Sequence, residues 1–237
     1  MHINKHTIMN YTIQIIAAVL PALLLFFFIY KKDAKPEPFH KLLNALLIGI
    51  AICIPVAFVE LLISKWLFVG GEPHTLFGTT VNAFLVAAVP EEAAKLLALW
   101  LVLRKNKYFD EHFDGIVYAV CVSLGFAMIE NIFYVVGAGA EWLNVALARA
   151  FLSVPGHYAF GVIMGYYYSV YHFGGRSRKV AWKILLMPVL AHGVYDSLTM
   201  SGSVNAVAGA ICSVALIYFC IELQKVALGR INELVGK

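Results

Sequence analysis

Charge is scarce in this chain. Lys, Arg, Asp and Glu together make up 14% of its 237 residues, where a soluble domain carries about 25%, so an ordinary water-facing surface is excluded. Cysteine is scarce too. The four present, Cys53, Cys121, Cys212 and Cys220, fall in apolar stretches without metal-ligand spacing, which argues against a disulfide framework or a zinc ribbon. Low-complexity segments and an obvious internal repeat are also missing, so solenoids are excluded. What remains is hydrophobic: 61% of the residues, with a mean hydropathy of +0.80 and apolar runs of about 20 residues along the whole length. The fold class expected is all-α, a polytopic transmembrane helical bundle in which residues 1–237 form a single domain embedded in the lipid bilayer.

The apolar runs divide into seven spans, over 9–30, 41–63, 76–103, 115–136, 145–172, 181–200 and 203–224. With the amino terminus outside, 14 of the 18 basic residues fall in cytoplasmic segments. Lys95 and Arg149 lie within spans, and only Lys5 and Lys65 are left outside. That bias puts the carboxyl terminus in the cytoplasm and turns the Gly70-Gly71-Glu72-Pro73 and Thr199–Ser203 loops outward. It also accounts for the net charge of +4 without a nucleic-acid partner. The first span ends in Tyr-Lys-Lys-Asp instead of a small-residue cleavage site, so it reads as a retained anchor.

Against this background Glu91, Glu92, Lys95, Glu130, Asn131, His157, His192 and Asp196 stand out, because a charged group at a span's centre costs about 2.5–3.5 kcal/mol on insertion scales. At about 1.5 Å per residue, counting from Arg104, Asp114, His172 and Lys183 places Glu91, Glu130, His157 and Asp196 roughly 20–25 Å from the inner boundary. His192 lies one turn nearer the cytoplasm. Four spans thus bring polar groups to one layer, which points to an active centre inside the bilayer. Glu60, near the outer end of its span, falls outside that layer and reads as an interfacial carboxylate.

Each motif has a structural reading beside the chemical one. Glu91 and Lys95 share a helical face, and a pair that merely cements helices would not need Glu92 next to them. Pro90 is expected to break the helix so that Glu91 starts a half-helix. Glu130 and Tyr134 share a face and are expected to hydrogen-bond, while Asn131 can clamp a neighbouring helix. Pro155-Gly156-His157 joins a breaker to an imidazole, and Gly161 with Gly165 offers a small-xxx-small packing face. Arg149 can snorkel outward or pair with a carboxylate. His192 and Asp196, four apart, can orient an imidazole, hold a metal or stabilise an oxyanion.

Taken together, Glu91-Glu92-x-x-Lys95, Asp114-Gly115-Ile116-Val117-Tyr118 leading into Gly125-Phe126-Ala127-x-x-Glu130-Asn131-x-x-Tyr134, His157-x-x-Phe160-Gly161-x-x-x-Gly165 and His192-x-x-x-Asp196 resemble the PrsW family of intramembrane proteases. The resemblance covers about residues 76–200, and the family is distantly similar to CAAX-processing and bacteriocin-processing membrane proteases. It implies an enzyme of regulated intramembrane proteolysis, a hydrolase that cuts a peptide bond in or beside a membrane-spanning substrate. By analogy the substrate is a single-span protein such as an anti-sigma factor, cut on its extracytoplasmic side, and the location is a bacterial cytoplasmic membrane.

Two mechanisms stay open. In one, Glu91 or Glu92 takes a proton from water, His157 holds that water, and His192 with Asp196 polarises the carbonyl. In this reading Lys95, Glu130, Asn131 and Tyr134 support the site. In the other, His157, His192 and one of Glu91, Glu130 or Asp196 ligate zinc. The family is usually described as metalloproteases, yet the His-Glu-x-x-His spacing is lacking, so the cofactor is none or zinc. A proton-coupled transporter built on the same buried Glu, His and Lys residues is the alternative class, although paired repeats with broken helices are not evident.

Overall fold

The computed structural model describes residues 5–71 and 73–235, so Glu72 of the Gly70–Pro73 loop and Lys237 lie outside the described residues. All regular structure among these residues is helical. The elements are α1 (Lys5–Lys32), α2 (Phe39–Leu67), α3 (Leu76–Val81), α4 (Val89–Leu103), α5 (His112–Gly137), α6 (Trp142–Ala148), α7 (Val154–Phe173), α8 (Arg178–Met200) and α9 (Ala206–Leu234). Two short π-helical stretches join them further: Asn82–Ala88 links α3 to α4, and Arg149–Ser153 links α6 to α7. The described residues therefore fold as seven helical rods.

Four rods are long and apolar enough to cross a membrane: Asn10–Lys32, Phe39–Leu67, His112–Gly137 and Ala206–Leu234. Their surroundings differ sharply. The apolar stretch of α5 is 78% buried inside the protein, against 28% for α1, 22% for α2 and 11% for α9. Helix α5 is thus the axis, with α7, α2 and α1 packed around it. The outward faces of α2 and α9 present Trp66, Val207, Val214 and Tyr218, side chains suited to lipid and costly in water.

Small residues let the rods approach α5. A Cβ on Gly165 of α7 would lie 2.6 Å from Ile116 Cα, and one on Gly161 would lie 3.1 Å from Val120 Cα, so the Gly161/Gly165 face packs directly on α5. On the opposite side Gly49 of α2 meets the backbone at Val122, and Gly125 of α5 meets the backbone at Leu46.

Pro90 does not break its helix. The chain stays helical through Ala88 and Val89, and Val89 N–H bonds to Phe84 O, five residues back. The same device precedes Pro155, where Val154 N–H reaches Arg149 O. A proline ring collides with the carbonyl four residues earlier and leaves it without a donor. Widening the preceding turn relieves both problems while the rod continues. At the far end, α9 runs ten residues beyond the expected boundary at 224. Leu223, Ala227, Ile231 and Leu234 remain buried along one stripe, so packing extends the helix where hydropathy falls.

Candidate active site

The expected polar layer forms as one connected cluster. Lys95, 1% exposed, sits at its centre, with Nζ donating to Glu91 Oε2 at 2.9 Å and Glu92 Oε1 at 2.8 Å. Its third contact is His157 Nδ1 at 3.2 Å. Since an ammonium can only donate, that ring nitrogen accepts and Nε2 is left facing Glu130 Oε2 at 2.7 Å. The Phe126 ring lies 4.4 Å from the ammonium, adding a cation–π contact.

His192 closes the other side. Its Nδ1 lies 2.9 Å from Glu92 Oε1 and its Nε2 3.3 Å from Asp196 Oδ2, so each ring nitrogen faces a carboxylate. Phe160 stacks on the ring at a centroid distance of 4.7 Å. The two imidazoles are neighbours, with centroids 5.5 Å apart, and both belong to helices that the π-helical turns and small residues bring close to α4. Ser123 of α5 donates to the His157 carbonyl at 2.6 Å, and Gln224 of α9 donates to the Pro155 carbonyl at 2.8 Å. These bonds fix the start of α7.

A cavity of about 410 Å³ opens onto this cluster. Glu91, Glu130, His157, His192 and Asp196 line it, whereas Glu92 lies behind the wall, fully buried. The two adjacent glutamates therefore differ. Glu92 Oε1 is shared by Lys95 and His192, while Glu91 uses only Oε2 on Lys95 and reaches the cavity.

Two sequence expectations change, those for Tyr134 and Glu60. Tyr134 does not bond Glu130; its side chain is exposed and carries the Arg149 guanidinium over its ring at 4.1 Å. Arg149 takes the carboxylate instead, Nη2 lying 3.1 Å from Glu130 Oε1. Asn131 serves Arg149 and α1: its Oδ1 accepts from Arg149 Nε at 2.5 Å and its Nδ2 donates to Ala18 O at 3.1 Å. Glu60, assigned to the membrane interface, lines the same cavity as Glu91. The reason is a boundary: α2 continues to Leu67, four residues past the expected end, so Glu60 lies about 6 Å further from the end of its helix than the sequence suggested.

One carboxylate oxygen each from Glu91 and Glu130 and one nitrogen of His157 lie within 4.8 Å of one another, as do donor atoms of Glu91, Glu92 and His192. The first set faces the cavity. Two carboxylates and an imidazole leave a position open for water, the donor count of catalytic zinc sites, so these residues fit such an ion once the His157 ring proton sits on Nδ1 and its contact with Lys95 is released. A third acidic group, Glu37, Asp110 and Asp114, lies at the opposite end of α5.

Comparisons with known proteins identify the family. Residues 37–222 match the family described as PrsW family intramembrane metalloprotease. Protease PrsW of Bacillus subtilis (strain 168) is 37% identical over 183 residues, covering 76% of this chain and 79% of that protein. Protease PrsW of Clostridioides difficile (strain 630) is 34% identical over 221 residues, 91% and 89% of the two chains. Protease PrsW of Geobacillus kaustophilus (strain HTA426) is 36% identical over 187 residues, 78% and 79%. No solved structure matches the chain.

Proposed function

The chain belongs to the PrsW family of intramembrane metalloproteases, and from that premise we propose that the Glu91-lined cavity is its catalytic centre, where water is directed at a peptide bond of a single-span membrane protein. The observation that carries the reading is convergence: four rods deliver Glu91, Glu130, His157, His192 and Asp196 to one cavity inside an otherwise apolar bundle. Charges in such a place are expensive and are retained for function. All seven rods cross the bilayer in this proposal, the amino terminus outside and the carboxyl terminus in the cytoplasm of a bacterial cell, as the basic loops favour. The proton-coupled transporter alternative gains no support from relatives that carry protease names.

Glu91 is the residue we assign to take the proton of the attacking water. Its Oε2 is held by Lys95, and the carboxylate faces the cavity. Glu92 serves as the internal counter-ion that keeps Lys95 and His192 in place. His192, backed by Glu92 at Nδ1, turns its Nε2 N–H from Asp196 to the developing oxyanion, and the ring's two carboxylate neighbours stabilise it when it is doubly protonated. Glu130 and His157, in direct contact, orient the water on the cavity side of the pair, with Arg149 holding Glu130. Glu91, Glu130 and His157 would hold the metal that the family description implies, and a bound zinc-type ion would supply Lewis-acid polarisation and a more acidic water. An anti-sigma factor is the substrate class proposed, cut on its extracytoplasmic side.

The test is cleavage of single-span reporter proteins by purified wild type and Glu91→Gln, each with and without a strong chelator. Loss of about 10³-fold or more in Glu91→Gln at unchanged folding supports the assignment, on the scale of removing a positioned proton acceptor together with its charge. Chelator sensitivity with metal rescue supports the donor set. Equal cleavage by both proteins would remove Glu91 from the mechanism.

A further inference from the structure

Glu60 is the cavity carboxylate that none of the reactions above employs. Its Oε1 is buried and has no hydrogen-bond partner, and no ion pair reaches it among the described residues, whereas Glu91, Glu92, Glu130 and Asp196 each meet a basic group. A carboxylate oxygen buried without a donor is costly to the fold. Nothing in the packing of α2 requires it, because Cys53 and Ala57, on the same helical face, line the cavity with small apolar side chains instead.

The charges of the site show what it lacks. Five carboxylates, Glu60, Glu91, Glu92, Glu130 and Asp196, face two permanent cations, Lys95 and Arg149. Both cations are already engaged. A divalent ion on Glu91, Glu130 and His157 would leave one negative charge with His192 neutral and none with it doubly protonated; in either case Glu60 is the carboxylate without a basic partner. Cys53 and Ala57 on the same face of α2 offer an apolar wall of the kind that accommodates a methylene stem ending in a charged head.

We propose that Glu60 forms a specificity subsite of this cavity that receives a lysine or arginine side chain of the substrate, close to the bond that is cut. The arriving ammonium or guanidinium satisfies the orphaned carboxylate in a low-dielectric wall, where a charge-assisted hydrogen bond is strongest. An acidic or bulky apolar residue at that position would meet an uncompensated negative charge. The proposal rests on the reading of the cavity as the catalytic centre.

The experiment uses the full-length protein and a single-span reporter in which Lys, Arg, Leu or Glu is placed in turn at each of the residues flanking the cleavage point. At one position Lys and Arg should exceed Leu in kcat/KM by about tenfold or more, chiefly through KM, with Glu the poorest. Glu60→Gln should bring the Lys-to-Leu ratio close to one, and Glu60→Lys should invert the preference toward Glu at that same position. Binding of fluorescent Lys and Leu reporters to Glu91→Gln should show the same ratio, and the Glu60 substitutions should abolish or invert it there as well. This arm keeps the subsite readable even if residual cleavage by Glu91→Gln refutes the assigned proton acceptor. A Lys-to-Leu ratio that survives Glu60→Gln, or a loss that is equal for all four residues, would overturn the subsite.

Discussion

The two ends of α5 carry acidic clusters of similar composition and opposite character. Near Glu130, carboxylates meet a lysine, an arginine and two histidines around a cavity. Near Asp114, the acids are consumed by turns and caps. Asp114 Oδ2 accepts from the backbone of Asp110 at 3.0 Å and of Glu111 at 2.7 Å, closing a capping box. Asp33 accepts from Lys35 N at 2.9 Å, Glu37 accepts from the Tyr118 hydroxyl at 2.8 Å, and Lys35 pairs with Glu111. Both clusters hold three donor atoms close enough for a cation, yet only the first combines them with imidazoles and an ammonium inside the bundle. Proximity of carboxylates is therefore a poor guide to chemistry; what their remaining lone pairs face is a better one.

Removing the central cation should separate the clusters most sharply. Lys95→Met leaves Glu91 and Glu92 buried without their ammonium, so a loss of about 3–5 kcal/mol in stability is expected together with loss of cleavage. Thermal unfolding in detergent and reporter cleavage measure both, and a stable, active variant would show that Lys95 is not the hub. Asp114→Ala should cost less, about 0.5–2 kcal/mol, the worth of a helix cap, while the protein that remains folded still cuts its reporter. Loss of activity at full folding would bring the second cluster into the chemistry.

The last effect concerns pH. Burial pushes the Glu37 carboxyl up from 4.5 to about 7, against the Tyr118 hydroxyl that pulls it down. A carboxyl whose folded pKa is raised binds its proton more tightly when folded, so its contribution to stability is present at low pH and declines as pH rises from about 4.5 to about 7. The melting temperature of the wild type should therefore fall across that interval more than that of Glu37→Gln. Parallel pH profiles for the two proteins would break the comparison.

The helical rods and the polar layer were both legible in the sequence, because hydropathy marks apolar lengths and a buried charge is conspicuous within them. Depth counting brought Glu91, Glu130, His157 and Asp196 to one level, and they line one cavity. It misplaced Glu60, because hydropathy cannot locate a helix end to within a turn where Lys65 interrupts an apolar run. It paired Glu130 with Tyr134 for a related reason: helical spacing describes one rod at a time, and Arg149 arrives from another. The three rods that bear Glu91, His157 and His192 are also those outside the four long apolar ones, so the segments least typical of membrane spans carry most of the polar cluster, with Glu130 added from α5.

The widened turns ahead of Pro90 and Pro155 do more than accommodate a ring. Each residue of an ordinary helix advances the azimuth of the next by about 100°, and a π-helical turn holds one residue more than its neighbours. Asn82–Ala88 and Arg149–Ser153 thus act as phase shifters, setting the compass bearing of everything downstream relative to everything upstream. A chain shortened by one alanine between 82 and 88 would keep its hydropathy and all its motifs, yet its lower half-rod could no longer aim Glu91 at the cavity while its upper half kept its seat against α8. The position of one surplus residue, invisible to composition, is what brings the carboxylate to face its histidine.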